Sequence, residues 1–219
     1  MVRVLDLCCG TGSVRKALER IYGPGNYEYV GVDTEAKFGA QVQMDVRDWD
    51  YQRSYPTKYF DIVWASPPCT EYSRAKTRGA RRLEHADSIV ARCLEIIAYY
   101  EPQLWFIENP ATGLLKTREI MQPLSRYIHT CSYCKYGRDY KKATNIWTNR
   151  EGLVLQHCTS NPCDHKRQHG IHFACAQRGS RPGFARSANR SETYQIPQPL
   201  LDELLCPAGG SPSVEGGRN

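Results

Sequence analysis

The sequence predicts an α/β fold with a mostly parallel sheet, and three observations predict it. Strand-like apolar runs alternate with helical patterns through the first 150 of 219 residues, which is typical of βαβ units. The first run leads into Asp6-Leu7-Cys8-Cys9-Gly10-Thr11-Gly12, where glycines permit a tight strand-to-helix turn. A later run ends in Ser66-Pro67-Pro68-Cys69, whose prolines cannot join a ladder or a helix interior. That turn therefore presents one thiol at a strand end.

The apolar periodicity places each element. We predict strands at residues 2–8, 28–32, 41–44, 60–65, 104–108, 127–133 and 145–148. We predict helices at 13–21, with Ser13 as the cap, at 86–100 and at 199–205. Residues 70–85 are polar and basic, and we expect a mobile loop there. The tail at 207–219 is expected to be disordered.

Composition limits the class of protein. Lys and Arg number 29 against 23 Asp and Glu, so the formal net charge is +6, which suits a polyanionic partner. No apolar run approaches eighteen residues and no signal peptide is evident, so we expect a soluble, intracellular protein with no membrane partner. The ten cysteines are then core residues, metal ligands or nucleophiles, and not a disulfide framework.

Acidic residues follow the glycine-rich turn at strand ends. Asp33 ends the second predicted strand and can accept hydrogen bonds from two ribose hydroxyls, and Asp45 near the third can accept from an adenine amino group. Either acid alone also fits a solvated loop residue or a helix cap. Together with Asp6, they favour an adenosine-containing cofactor.

Glu108-Asn109-Pro110 closes another apolar strand. A partly buried carboxyl there can act as a proton donor or hydrogen-bond partner near neutral pH, although it could also cap the next helix. Glu108 as an acid and Cys69 of the Pro-Pro-Cys turn as a nucleophile, at neighbouring strand ends, form a catalytic pattern.

These residues together carry a resemblance to a known family. The glycine-rich turn, Asp33, Asp45, the Ser-Pro-Pro-Cys tetrad, Glu108-Asn109-Pro110 and Tyr136-Gly137 occur in the order of the cytosine-5 DNA methyltransferases, and the chain resembles their small phage- and virus-like members. The resemblance implies a Rossmann-like class I methyltransferase fold, with a mostly parallel seven-stranded sheet covered by helices on both faces. It spans residues 2–150, so we assign 1–150 to the catalytic domain, 151–206 to a Cys/His-rich extension and 207–219 to the tail.

The resemblance also implies a chemistry. Cys69 would add to C6 of a cytosine in DNA while Glu108 binds the base edge, and C5 would take a methyl group from S-adenosylmethionine, with the base flipped from the stack. The implied cofactor-binding residues are Asp6, Cys8, Gly10, Gly12, Asp33, Asp45 and Pro67. No obligatory protein partner is evident, and the location would be the cytoplasm, the nucleus or a viral factory.

The chain departs from the family pattern in four places. Cys8 stands where an aromatic residue usually stacks on adenine. Lys142 replaces the first arginine of a Gln-x-Arg-x-Arg motif, matching its charge only, and Thr144 leaves the second unmatched. There is no clear Gly-Asn-Ser motif near the carboxyl end, where residues 195–205 form a remnant helix. The chain is also too short for a typical target-recognition domain.

Basic residues follow the candidate nucleophile and precede the last predicted strand. The candidates for nucleic-acid binding are Arg74, Lys76, Arg78, Arg81, Arg82, Arg138 and Lys141. Two alternatives stay open: the same chemistry on RNA or a free cytidine nucleotide, and an inactive relic that binds cofactor or DNA.

A Cys/His-rich segment, Cys158-x4-Cys163-x-His165-x3-His169, precedes His172 and Cys175. We predict one structural zinc ion held by Cys158, Cys163 and Cys175 with His165 or His169, although the spacing matches no standard finger. The alternative is a set of loop cysteines and surface histidines. Cys131-x2-Cys134 could contribute ligands to this cluster, but Tyr133 and the strand pattern around it favour an ordinary buried pair.

Overall fold

A seven-stranded sheet organises the described part of the chain, residues 1–159, 161–176 and 182–206 of this computed structural model. Its strands are β1 (Val2–Leu7), β2 (Tyr27–Asp33), β3 (Val42–Gln43), β4 (Ile62–Ala65), β5 (Leu104–Pro110), β6 (Ile128–Ser132) and β7 (Ala143–Thr148). The spatial order is β3-β2-β1-β4-β5-β7-β6. A second, two-stranded sheet pairs β8 (Ala174–Cys175) with β9 (Arg186–Ser187). The predicted tail at 207–219 lies outside the described residues.

Six α-helices connect or flank these strands in the described part. They are α1 (Ser13–Tyr22), α2 (Tyr51–Ser54), α3 (Leu83–Tyr100), α4 (Asp164–His169), α5 (Arg190–Tyr194) and α6 (Gln198–Leu205). None of the helices in these ranges is both long and apolar enough to cross a bilayer.

The predicted site residues lie at one edge of the sheet. Strands β1, β2, β4 and β5 are parallel, so their carboxyl ends meet at that edge. Strand β7 runs antiparallel to β5 and to β6, so β7 begins and β6 ends at the same edge. Residues before β7 and after β6 are therefore brought to the ends of β4 and β5.

Helices cover both faces of the sheet, as the fold class predicted. On one face, α3 buries Val90, Cys93 and Ile96 against strand residues such as Val63 and Ile107. The other face is covered by α1 and α6 over Val4, Trp64 and Phe106. Strands buried on both faces read as continuous apolar runs, which is why the sequence located them.

The prediction that Ser13 caps α1 is wrong. The N-cap is Gly12, in the left-handed region at φ 67°, with no side-chain cap. The Ser13 hydroxyl instead accepts a hydrogen bond from the backbone N–H of Ile196, at 3.1 Å. The local sequence pattern assigned the Ser13 hydroxyl to the start of α1. It instead binds Ile196, which is 183 residues away in the sequence.

Helix α6 is an integral part of the core. Its four leucines at positions 200, 201, 204 and 205 are buried, and Tyr22 on α1 donates to the Leu205 carbonyl at 3.0 Å. Arg20 also binds Gln198 and Asp202 across the two helices. The segment interpreted as a remnant helix therefore completes the α1 face of the sheet.

Candidate active site

The Ser66–Cys69 turn is fixed by hydrogen bonds to the strands on both sides. The Ser66 N–H donates to the Leu7 carbonyl on β1 at 2.9 Å, and the Trp64 indole donates to the Ser66 hydroxyl at 2.9 Å. The Asn109 side-chain amide donates to the Pro67 carbonyl at 2.9 Å, and this bond is buried. The turn that carries Cys69 is thereby joined to the strand that carries Glu108.

Glu108 is buried, with 7% of its surface exposed, and two side chains reach its Oε1. The Tyr133 hydroxyl donates to Oε1 at 3.1 Å, and the Lys142 ammonium lies 3.5 Å from the same oxygen. Lys142 also lies over the Tyr133 ring, 4.6 Å from its centroid, and donates to the Thr193 carbonyl at 3.1 Å. A buried carboxylate is thus compensated by a cation and a hydroxyl.

The charges of Glu108 and Lys142 act on the Cys69 thiol. Burial raises the pKa of Cys69, and the Glu108 charge raises it further, whereas the Lys142 and Arg190 charges lower it. The residue Cys69 as a whole is partly exposed. Sequence reasoning missed Arg190 and Tyr133. Arg190 follows a stretch without periodicity, and Tyr133 was interpreted as part of an ordinary strand.

The glycine-rich turn is held by Asp33. The backbone N–H of Gly10 donates to Asp33 Oδ2 and that of Glu35 donates to Oδ1, each at 2.9 Å. Gly10 has φ 49°, a left-handed conformation that favours glycine. A Cβ placed on Gly12 would meet no atom within 4 Å, so the space beside the turn is open.

Asp6 and Cys8 precede the glycines of this turn; Asp6 is buried and Cys8 is half-buried. The Tyr29 hydroxyl donates to Asp6 Oδ2 at 2.9 Å, and burial raises the pKa of Asp6 to about 7. A hydrogen bond with the Cys93 thiol on α3, together with burial, raises the pKa of Cys8. The Cys8 side chain therefore contacts the helix beneath the sheet, where an aromatic residue of the family pattern would need to contact a ligand.

Asp45 is engaged by Arg47. The Arg47 guanidinium donates to Oδ2 at 2.6 Å and to Oδ1 at 3.0 Å, and the Arg47 N–H donates to Oδ1 at 2.9 Å. These bonds lower the pKa of Asp45. The assignment of Asp45 to an adenine amino group stays a prediction, and Arg47 would compete for its oxygens.

The basic loop is tethered more tightly than expected for a mobile segment. The Arg81 guanidinium donates to the carbonyls of Glu71 and Ser73, both at 2.7 Å, and of Lys76 at 3.0 Å. Lys76 lies 2.5 Å from the Glu71 carboxylate, which also accepts from the Arg82 N–H at 2.8 Å.

The assignment of the five basic loop residues to nucleic-acid binding stays a prediction, but their contacts within the protein differ. Arg81 and Lys76 stabilise the loop itself, while the side chains of Arg74, Arg78 and Arg82 are exposed. Buried Tyr72 anchors the loop by donating to Asp87 on α3 at 2.8 Å, a contact that no local pattern predicted.

The other two predicted nucleic-acid-binding residues, Arg138 and Lys141, interact with different parts of the chain. Arg138 is half-buried and donates to the Gln195 side chain at 3.3 Å. Lys141 lies near the Cys/His-rich segment, where its charge contributes to lowering the pKa of Cys158 and of His172. Only Lys142 of this stretch reaches Glu108.

The structure gathers a different Cys/His set from the predicted one. Among the described residues, the ligand atoms of Cys134, Cys158, Cys163 and His172 lie within 4.8 Å of one another. The predicted ligands Cys175 and His165 are outside this group. Cys175 lies on β8, and the His165 ring is turned to the Ile171 carbonyl, 2.8 Å from Nδ1. Cys134, interpreted as half of a buried pair, belongs to the group.

The raised pKa of Asp6 predicts a pH-dependent stability. The folded protein keeps the Asp6 proton up to about pH 7, whereas the ordinary value is 3.8. Folding takes up a proton between these values, so the free energy of unfolding falls as pH rises through this window. The full loss is about 4 kcal/mol. Asp6→Asn, which keeps an acceptor for Tyr29, should remove this slope in urea unfolding measured from pH 4 to 8.

Asp45→Asn is the matched control. In the parent the pKa of Asp45 is lowered, so the stability that Asp45 contributes is lost only as pH falls below 3.8. Above pH 4, the free energy of unfolding of Asp45→Asn should therefore change with pH as that of the parent does. Parallel curves for Asp6→Asn and the parent would contradict the assignment of the buried proton to Asp6.

Comparisons with known proteins identify the family of this chain. The family model for C-5 cytosine-specific DNA methylases matches residues 2–141. A probable DNA (cytosine-5)-methyltransferase of Frog virus 3 (isolate Goorha) is 30% identical over 226 residues, covering 93% of this chain and 99% of the relative. The Entamoeba histolytica methyltransferase EhMeth shares the fold, with a TM-score of 0.50 and 18% identity over 73% of this chain and 58% of that structure. The chain therefore belongs to the C-5 cytosine-specific DNA methylases, a family of enzymes with the class I methyltransferase fold.

Proposed function

We propose that this enzyme transfers a methyl group from S-adenosylmethionine to C5 of cytosine in DNA, through a covalent adduct on Cys69. The observation that carries the proposal is the buried hydrogen bond from Asn109 to the Pro67 carbonyl. It holds the nucleophile turn and the Glu108 strand side by side at one edge of the sheet. The family assignment and the viral relative support the same reaction.

The residues near the glycine-rich turn fit the cofactor. S-adenosylmethionine supplies an electrophilic methyl group on a positively charged sulfur when bound. The Gly10–Gly12 backbone leaves open space, Asp33 keeps lone pairs for ribose hydroxyls beyond its two backbone bonds, and Asp6 adds a carboxyl at the end of β1. The cofactor would bind between this turn and Pro67.

Cys69 performs the first chemical step. Its thiolate adds to C6 of the cytosine ring, and the electron pair of the C5–C6 double bond moves toward C5, which becomes nucleophilic. Burial raises the pKa of the Cys69 thiol, and the nearby Lys142 and Arg190 charges offset part of that rise. After methyl transfer, a base removes the C5 proton, the double bond reforms and the Cys69 sulfur leaves.

Glu108 holds the base during this step. A carboxyl group can bind the N3 and amino edge of cytosine by two hydrogen bonds, and Tyr133 and Lys142 fix its orientation through Oε1. None of these atoms can reach a base inside a duplex stack, so the target nucleotide must rotate into the site. Lys142 takes the place of an arginine in the family pattern and acts as a point charge.

Two alternatives concern the substrate and the activity. The first alternative is the same chemistry on RNA or a free cytidine nucleotide, but the exposed Arg74 and Arg78 just after Cys69 favour a polyanionic polymer. The second alternative is an inactive protein that only binds cofactor or DNA. The buried Glu108–Lys142 ion pair argues against it, because burying such a pair costs free energy of folding and an inactive protein gains nothing from it.

The nucleophile is tested by Cys69→Ser with labelled S-adenosylmethionine. We expect at least about a hundredfold loss of methyl transfer, because a serine hydroxyl ionises far less readily than a thiol. Cofactor affinity, measured by calorimetry, should stay within about twofold, because Cys69 lies outside the glycine-rich turn. Cys206→Ser, a half-buried thiol that follows α6, should transfer methyl groups as the parent does.

The same assay identifies the substrate when duplex DNA, single-stranded DNA, RNA and dCTP are offered separately. Label on C5 of DNA is expected. Exclusive labelling of RNA or dCTP would overturn the DNA assignment, and absence of label on all four, with the cofactor bound, would support the relic.

The exposed part of the basic loop makes a separate prediction. The double variant Arg74→Ala/Arg78→Ala should weaken binding of all duplex sequences alike and reduce the slope of log affinity against log salt by about 2. Fluorescence anisotropy on two unrelated duplexes at several salt concentrations measures this slope.

Arg53→Ala/Arg126→Ala removes the same charge as a control. These arginines are exposed and precede β4 and β6, at the opposite edge of the sheet from Cys69. Equal salt slopes for the two double variants would show that the loop does not contact phosphates.

A further inference from the structure

We propose that Cys134, Cys158, Cys163 and His172 bind one Zn²⁺ ion in a tetrahedral Cys3His site. The four residues come from three parts of the chain: the turn after β6, the approach to α4 and the segment after α4. This site is separate from the methyl-transfer residues and does not depend on the proposed reaction.

The geometry matches what a tetrahedral zinc ion requires. Zinc lies about 2.3 Å from thiolate sulfur and about 2.0 Å from imidazole nitrogen, which places neighbouring sulfur and nitrogen ligands about 3.5 Å apart. Cys158 Sγ and His172 Nε2 are 3.4 Å apart. All four ligand atoms lie within 4.8 Å of one another, so a single ion can contact each of them after small side-chain shifts.

Burial and hydrogen bonding distinguish this group from loose loop cysteines. Cys158 is fully buried, and Cys134, Cys163 and His172 are each 8% or 9% exposed. The Cys163 N–H donates to Cys158 Sγ at 3.4 Å, the kind of backbone bond that orients and stabilises a thiolate ligand. The Cys158 N–H donates to the Ser132 hydroxyl at 3.1 Å, which fixes the ligand's backbone.

The binding reaction is balanced by proton release. Three thiols and one neutral imidazole bind Zn²⁺ as three thiolates and one nitrogen, so up to three protons leave the protein. The resulting centre carries one net negative charge. Lys141 lies near Cys158 and His172 and supplies a compensating positive charge.

The local structure explains what a metal would contribute. Helix α4 has no buried residues, so the segment around it has little apolar core of its own. A zinc ion would join this segment to Cys134, the neighbour of Tyr133, whose hydroxyl binds Glu108. The metal would therefore stabilise the connection between β6 and β7 behind the active site.

The test uses the full-length chain expressed with zinc and purified without chelator. Metal analysis should give about one zinc per chain. Cobalt exchanged into the same protein should show the intense visible bands of tetrahedral Co²⁺ and the ultraviolet charge-transfer absorption of about three thiolates. Zinc titration of the metal-free protein should release protons, measured with a pH indicator.

Variants distinguish the two possible ligand sets. Cys134→Ser and His172→Asn should lower zinc affinity at least about tenfold, measured by competition with a chelating dye. The matched variants Cys175→Ser and His165→Asn, which change the ligands predicted from sequence alone, should keep the parent affinity.

Two results would overturn the proposal. The first is a folded, zinc-replete parent protein with less than about 0.1 zinc per chain, which would leave a buried thiol cluster without metal. The second is loss of zinc in Cys175→Ser with retention in Cys134→Ser. Should Cys134→Ser fail to fold, His172→Asn and His165→Asn still distinguish the two ligand sets, because only His172→Asn should lower the zinc affinity.

Discussion

The hydrogen bond from the Asn109 amide to the Pro67 carbonyl is the contact on which the active site depends. Pro67 and Pro68 have no N–H groups, so beyond the Ser66 N–H the backbone of this turn is held through the Pro67 carbonyl. Asn109 provides the donor from the end of β5. Because Ala65 and Ile107 lie in register on the two strands, the turn and Glu108 begin at the same height.

The reversed direction of β7 supplies the rest of the site. An antiparallel last strand brings Lys142 to the edge where the parallel strands end, and Tyr133 arrives there from β6. The Tyr133 N–H donates to the Lys142 carbonyl at 3.0 Å, so these two side chains approach Glu108 as one unit. Cys134 follows Tyr133 directly, which places the proposed metal centre one residue from a side chain that orients the carboxyl group.

The sequence predicted the sheet well because parallel strands are buried on both faces and their apolar runs are continuous. The predicted helices 13–21 and 199–205 match α1 and α6 closely, and α3 begins three residues before the predicted 86. The predictions from sequence failed where a residue distant in the sequence binds a side chain that the local pattern had assigned to a nearby partner. Ser13 was assigned to its own helix, but Ile196 binds its hydroxyl. The assignment of Arg81 to nucleic acid stays a prediction, and its guanidinium already donates to three loop carbonyls. Cys134 was separated from Cys158 by a whole strand, and no short-range spacing could join them.

The central claim is that Cys69 forms a covalent bond with a cytosine held by Glu108, and a trapped complex tests it most directly. A duplex with 5-fluorocytosine, incubated with the protein and S-adenosylmethionine, allows addition and methyl transfer but offers no C5 proton to remove. Intact-mass analysis should then show one oligonucleotide bound per chain, and peptide mapping should locate it on Cys69. Attachment to another of the ten cysteines, or methylation of ordinary DNA with no trapped adduct, would contradict the account.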